Sequence, residues 1–383
     1  MLRRDFLKLG GLTALVSLTP TVAFAAAAQA SPRLLVLIEL KGGNDGLNTV
    51  VPYTDEHYYT LRPKLAIARD QVLQLDERTG LHPALAPLMP LWQSHKLAVV
   101  QGVGYPKPNL SHFRSIEIWD TASDSDETLQ SGWLTRQFAA SPLPHEYVAD
   151  GIAVGSPELG PLDGGARALV LQNTEAFVKQ ARLANDMAGG APNAALAHLL
   201  KVEADIRQAA QGLAAGGHLQ TTFPENGFGK TVATAMQALS ANRNIGVVRL
   251  TLTGFDTHVN QRPQQERLLG ELAQGIVAVQ AALTELGRWD DTLVSTYAEF
   301  GRRTHENQSG GTDHGTANAH FLTGGQVRGG LYGARPDFTN LDNDNLRAAV
   351  DFRQLYATAC RFCWQSDGEA ALGRRFSPLP LTA

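Results

Sequence analysis

The sequence predicts an α/β protein built on a doubly wound, mostly parallel sheet flanked by helices. Two observations carry that reading. Four short apolar runs are spread along the chain and each gives way at once to polar residues, and helical patterns fill the intervals between them. Strands that alternate with helices indicate a parallel sheet with helices on its faces.

Leu34–Leu40 is a nearly unbroken apolar run, as a strand covered on both faces requires. Leu97–Val103, Ile245–Leu252 and Thr292–Tyr297 are three more. Helical patterns cover Pro83–Trp92, Ser111–Thr121, Gln264–Leu286 and Asp351–Trp364. Residues 155–243 differ, being rich in Ala, Gly, Asn and Gln, with helical stretches near Asn193–Gln211 and Lys230–Ala241. They are read as a helical insertion or cap on the main sheet, within one domain spanning residues 31–383.

Residues 1–30 form an address and not part of the fold. Arg3, Arg4, Phe6, Leu7 and Lys8 make an R-R-x-F-L-K run, an apolar stretch follows from Leu9 to Phe24, and Ala28-Gln29-Ala30 fits a small-x-small cleavage site. This pattern predicts a twin-arginine signal peptide, a periplasmic destination and the twin-arginine translocation machinery as a partner in transit. Gly10, Gly11, Thr13, Ser17, Thr19, Pro20 and Thr21 make the stretch too weakly apolar for the roughly 20-residue span a bilayer needs. No stable membrane span is expected in the remainder.

Composition narrows the function classes. With 43% hydrophobic and 18% charged residues, the 383-residue chain is not disordered. Its 33 Lys and Arg against 37 Asp and Glu give a net charge of −4, without the basic face a nucleic-acid binder needs. Two cysteines cannot build a disulfide framework. Cys360-Arg-Phe-Cys363 cannot complete a structural zinc site alone, and buried thiols or one local disulfide are preferred to redox catalysis. Gly227-Phe-Gly-Lys-Thr231 is no phosphate loop, because Pro224 stands where the pattern needs glycine and no strand precedes it. There is no G-x-S-x-G, so an α/β-hydrolase elbow is unsupported.

In open parallel sheets, ligands sit at the carboxyl ends of the strands. The first strand is followed by Gly42-Gly-Asn-Asp-Gly46, the second by a loop reaching Ser111-His112, the third by Gly254-Phe-Asp-Thr-His258 and the fourth by Glu299-Phe-Gly-Arg302. A glycine-rich loop adds Gly311-Thr-Asp-His-Gly315, with His320 soon after. Four strand ends thus deliver Asp45, Ser111, Asp256 with His258, and Glu299 to one edge, and the loop adds Asp313 and His314. Carboxylates gathered so closely raise one another's pKa unless a cation sits among them. Carboxylate and imidazole ligands suit Zn²⁺ or Mn²⁺, with Mg²⁺ or Ca²⁺ as the oxygen-preferring alternatives, in a site for one or two divalent ions.

Bland readings stand beside these. Asp45 suits a turn, Asp256 or Thr257 suits the N-cap of the helix that follows, Glu299 suits a pairing with Arg302 or Arg303, and Asp313-His314 suits a solvated loop. Ser111 opens a helix, where unpaired backbone N–H groups hold anions. It is either an N-cap or a metal-activated nucleophile, and His112 beside it is either an acid/base group or a packing residue.

Together, Gly42-Gly-Asn-Asp-Gly-Leu-Asn-Thr-Val-Val-Pro52, Ser111-His-Phe-Arg114, Gly254-Phe-Asp-Thr-His258, Glu299-Phe-Gly-Arg302 and Gly311-Thr-Asp-His-Gly315 resemble a bacterial family of twin-arginine-exported proteins. That family is described as a domain of unknown function and is grouped with the alkaline phosphatase/sulfatase-like superfamily. The resemblance implies Asp45 as the first carboxylate ligand, Ser111 as nucleophile, Asp256 and His258 on one metal, and Glu299, Asp313 and His314 on the rest, with His320 as a further ligand. Two functions follow. One is an exported metal-dependent hydrolase of phosphate or sulfate esters. The other is a non-catalytic periplasmic metal-binding or assembly module that keeps the sulfatase-like fold. The chain departs from the superfamily in spacing Asp256 and His258 two apart rather than four, and in lacking the Cys/Ser-x-Pro-x-Arg signature of sulfatases.

Overall fold

The structure, a computed structural model, describes residues 32–171 and 218–381. The predicted signal segment and the predicted helix at Asn193–Gln211 lie outside those residues. All four predicted strands are present: β1 (Leu34–Lys41), β2 (Leu97–Gly104), β5 (Ile245–Thr253) and β6 (Thr292–Tyr297). Five more join them: β3 (Ala149–Val154), β4 (Ala168–Leu171), β7 (Asn318–Thr323), β8 (Gly330–Gly333) and β9 (Val350–Asp351). The order across the sheet is β8-β2-β7-β6-β1-β5-β3-β4, with β9 also pairing to β2.

β1 lies at the centre, parallel to both neighbours, with Leu37 opposite Arg249 of β5 and Ser295 of β6. β7 runs antiparallel to β2 and β6. The fold is therefore mixed α/β with a mostly parallel sheet, as the sequence predicts.

Alternate residues of β1 feed two cores, because side chains along a strand point to opposite faces. Leu34, Val36, Ile38 and Leu40 pack on one side with the helices α3 (Gly227–Ala241) and α4 (Gln261–Glu285). Leu35 and Leu37 pack on the other side with α1 (His112–Thr121), α2 (Trp133–Ala140) and α5 (Phe352–Trp364). Burial on both faces explains the unbroken apolar runs. The interruption at Glu39 is matched inside the sheet, where its Oε2 meets Arg249 Nη2 at 2.6 Å and Thr251 Oγ1 at 3.0 Å.

Within 155–243, residues Ala168–Leu171 form a strand that extends the main sheet beside β3, and α3 packs on that sheet. Asn318–Thr323, which follows the glycine-rich loop and carries His320, is a fully buried strand. Cys360 and Cys363 are buried free thiols on α5, and burial pushes both well up from the usual thiol range. Among the described residues no helix is long and apolar enough to cross a membrane.

Candidate metal centre

The parallel strands bring the predicted loops to one edge of the sheet. β1 runs out into Gly42–Asp45, β5 into Gly254–His258 and β6 into Glu299–Arg302, while the loop after β2 reaches α1 through Ser111. Because β7 runs the other way, the residues that precede it, including His314, arrive at the same edge.

Four side chains meet there. His112 Nε2 lies 3.4 Å from Asp256 Oδ2. His258 Nε2 is 3.0 Å from Asp256 Oδ1 and 2.9 Å from His314 Nε2. His314 Nε2 is 3.2 Å from the same Asp256 oxygen. One donor atom from each of His112, Asp256 and His314 lies within 4.8 Å of the other two.

The outer face of each ring is held as well. His112 Nδ1 faces Glu299 Oε1 at 3.0 Å, and that oxygen also accepts the Gly42 N–H at 2.8 Å. His314 Nδ1–H donates to the Leu110 carbonyl at 2.8 Å. His258 Nδ1 stands 3.4 Å from Asp313 Oδ1. Histidines that bind metals characteristically place the second ring nitrogen on a carboxylate or carbonyl in this way. A proton on Nδ1 leaves Nε2 as a lone pair. The inward lone pairs and the Asp256 carboxylate then have no hydrogen to share, and a cation among them relieves the repulsion. Imidazole with carboxylate suits Zn²⁺ or Mn²⁺, so these residues fit such an ion.

Arg302 fixes the arrangement from below. Its buried guanidinium donates to Asp256 Oδ1 at 2.8 Å, to the carbonyls of Gly43 at 2.7 Å, Thr312 at 2.9 Å and Phe255 at 2.8 Å, and to that of Gly42. One side chain thereby ties together the loops after β1 and β5 and the loop before β7. Burial works against the charge on Asp256, but the hydrogen bond and charge of Arg302 prevail and hold its carboxyl down at about 2. The hydrogen bond to Glu299 raises the His112 pKa, whereas burial lowers that of His314.

The Phe300 ring lies against both histidines, with centroids 5.0 Å from His112 and 4.4 Å from His314. Gly43, at φ +82°, makes room for it, since a Cβ there would collide with the Phe300 ring. Gly42, at φ +116°, likewise allows the backbone of Asp256 to approach.

The predicted residues sort into three groups. Asp256, His258 and His314 meet, and His112 joins them as a donor rather than a bystander. Glu299 and Asp313 stand one step out, behind His112 and His258. Asp45 and His320 are elsewhere. Asp45 is buried and caps the short helix Gly46–Thr49 through bonds from Leu47 N–H and Asn48 N–H. Its other oxygen takes Arg62 Nη1 at 2.6 Å and the Gln261 amide. All of its acceptor capacity is used, so it is the turn residue and not a ligand. His320 is fully buried in β7, edge-on to Trp119 at 5.5 Å, with Nδ1 3.3 Å from Thr296 Oγ1. Burial lowers its pKa to about 3, and it belongs to the core.

Ser111 is exposed at the N-cap position of α1, and its side chain makes no capping bond. It sits between Leu110, whose carbonyl holds His314, and His112, whose ring is in the cluster. The N-cap of α4 is Asn260, so Asp256 does not serve that helix. Sequence reasoning missed Arg302 as the organiser, reading it only as a partner for Glu299. The one available signal was an arginine five residues past a strand end.

Fold and site together define a mixed α/β protein with a candidate divalent-metal centre at the carboxyl edge of its sheet. The chain belongs to the family described as "Protein of unknown function (DUF1501)", which matches residues 66–364. A search of curated proteins gives no match. Among solved structures, it is similar to the periplasmic domain of EcEptC from Escherichia coli in complex with Zn, with 10% identity, 77% of this chain and 74% of that chain covered, and a TM-score of 0.38. It is similar to the phosphonate monoester hydrolase SpPMH from Silicibacter pomeroyi, with 11% identity, 91% and 78% covered, and a TM-score of 0.40. A third likeness is to alkaline phosphatase from the Antarctic bacterium TAB5, with 11% identity, 79% and 95% covered, and a TM-score of 0.34. Likeness at this level assigns no activity.

Proposed function

We propose that the chain is an exported, metal-dependent hydrolase of phosphate or sulfate esters that works in the periplasm. The observation that carries this reading is the meeting of His112, Asp256, His258 and His314, with Ser111 the residue before His112 in the chain. The R-R-x-F-L-K run supports export by the twin-arginine pathway.

His112, Asp256, His258 and His314 would hold the divalent ion, with Glu299, Asp313 and the Leu110 carbonyl orienting the rings. Such an ion polarises an ester oxygen and lowers the pKa of a neighbouring hydroxyl. The Ser111 hydroxyl, uncommitted to the helix, would lose its proton to solvent water as its oxygen bonds the phosphorus or sulfur. The ester oxygen would leave opposite with its bonding pair and take a proton from solvent, and a water would then free Ser111 by the reverse displacement. Unpaired N–H groups in the first turn of α1 favour the anionic group beside Ser111. Arg302 stays beneath the cluster and holds Asp256.

The test is elemental analysis of the purified protein, followed by a screen of aryl phosphates, phosphodiesters and sulfate esters with added Zn²⁺, Mn²⁺ or Mg²⁺. The expected result is bound metal that Asp256→Ala loses, and turnover that Ser111→Ala abolishes. A second reading, the non-catalytic metal-binding module, is favoured by one observation: Asp45, implied as a ligand for a further ion, is locked to Arg62. Tight metal binding without turnover on any of these esters would establish the module and overturn the hydrolase.

A further inference from the structure

A cavity of about 990 Å³ opens beside the metal centre and shares His112, Asp256 and Glu299 with it. That is far more room than a phosphate or sulfate group fills and is at the upper end of what small-molecule sites use. One wall is a face of α1 made by Phe113, Ile116 and Asp120, spaced so that they line up along the helix. Leu129 and Leu159 add to its apolar character.

Phe113 is 88% exposed and Val259 62% exposed, and they are the exposed large hydrophobic side chains among the described residues. Each directly follows a histidine of the cluster, His112 and His258. Phe113, which lines the cavity, adds its exposed ring to the apolar face of Ile116, Leu129 and Leu159, and an apolar patch of this kind marks a binding surface.

Charge narrows the occupant. Among the described lining residues Lys41 is the one lysine or arginine, and it is paired with Glu158 at 2.6 Å. Arg249, behind the wall, is committed to Glu39, the Tyr297 hydroxyl and the Glu158 carbonyl. Glu39 and Asp120 also face this space, each with a buried oxygen that has no hydrogen-bond partner. The cavity therefore offers apolar surface and carboxylates, and no uncommitted cation for a second anionic group.

We infer that the ester handled here carries an apolar organic group without further negative charge, seated against Phe113, and that polyanionic esters are rejected. This rests on the ester-hydrolase reading above. The test is calorimetric titration of the Zn²⁺-loaded protein and its Phe113→Ser variant with inorganic phosphate, 1-naphthyl phosphate, 1-naphthol and fructose 1,6-bisphosphate. Naphthyl phosphate should bind at least about tenfold more tightly than phosphate, as burial of an aromatic group would give. The bisphosphate should bind no better than phosphate, and Phe113→Ser should cut the naphthyl advantage to about threefold or less. A naphthyl advantage that survives Phe113→Ser, or tighter binding of the bisphosphate, overturns the inference. Anion binding without naphthyl preference overturns it while leaving the hydrolase reading intact. Naphthol binding that depends on Phe113, with no anion bound, upholds the apolar site and overturns the ester reading.

Discussion

Glu299 Oε1 lies 3.0 Å from His112 Nδ1, on the side of the ring away from Asp256. The carboxylate that follows β6 is thus placed to orient an imidazole through Oε1. Glu299→Gln keeps the size of the side chain and removes the charge behind the ring. Loss of such a supporting group costs about 10–100-fold in metal affinity. Competition titration with a chromophoric chelator should show a loss in that range, and an unchanged affinity would return Glu299 to a packing role.

Arg302 bonds to Asp256 and to four surrounding carbonyls. Lysine cannot reproduce its planar fork of donors. Arg302→Lys should lower unfolding free energy by about 3 kcal/mol or more, because buried acceptors lose their partner. Urea denaturation at neutral pH measures this, and metal content should fall in parallel.

Gly43 leaves the space that the Phe300 ring occupies. Gly43→Ala should displace that ring from its place against His112 and His314 and add backbone strain of about 1 kcal/mol. Metal affinity is expected to fall by more than the melting temperature suggests. A variant that melts lower yet binds metal normally would separate Phe300 from the site.

Asp45→Asn tests the correction made for that residue. The variant leaves Arg62 buried beside a neutral amide, which should destabilise the fold by about 2–4 kcal/mol, while metal stoichiometry per folded chain stays that of the parent. Loss of metal from the folded variant would restore Asp45 to the ligand set.

His320 links stability to pH. Its folded-state pKa is lowered to about 3 by burial, against about 6.5 for an unfolded chain. Below pH 6.5 the unfolded chain takes up a proton that the folded one refuses, so stability falls as pH drops toward 3. Between pH 7 and pH 5 this residue should account for about 2 kcal/mol of the decline. His320→Gln should show a correspondingly shallower fall in denaturant titrations at the two pH values.

Much of this was legible along the chain. The apolar runs at Leu34, Leu97, Ile245 and Thr292 mark the strands because a sheet covered on both faces leaves no polar alternation. The polar clusters that end them mark the edge where Asp256, His258 and His314 meet. Asn318–Thr323 hid because Asn, His and Thr interrupt its apolar character. Asn318 and Thr323 find their partners only in space, Asn318 donating to the Phe300 carbonyl at 3.0 Å and Thr323 to the Lys96 carbonyl at 2.7 Å.

The parallel sheet, the loops at its carboxyl edge and the residue types that gather there are already written along the chain, since these follow from local hydrophobic pattern and strand direction. Which side chains face inward depends on packing between distant segments. Arg62 sits 17 residues after Asp45 and takes its carboxylate out of reach. Glu299 approaches His112 across 187 residues and lends it direction. Competition among donors for one acceptor is settled by distance in three dimensions, and spacing along the chain holds no record of it.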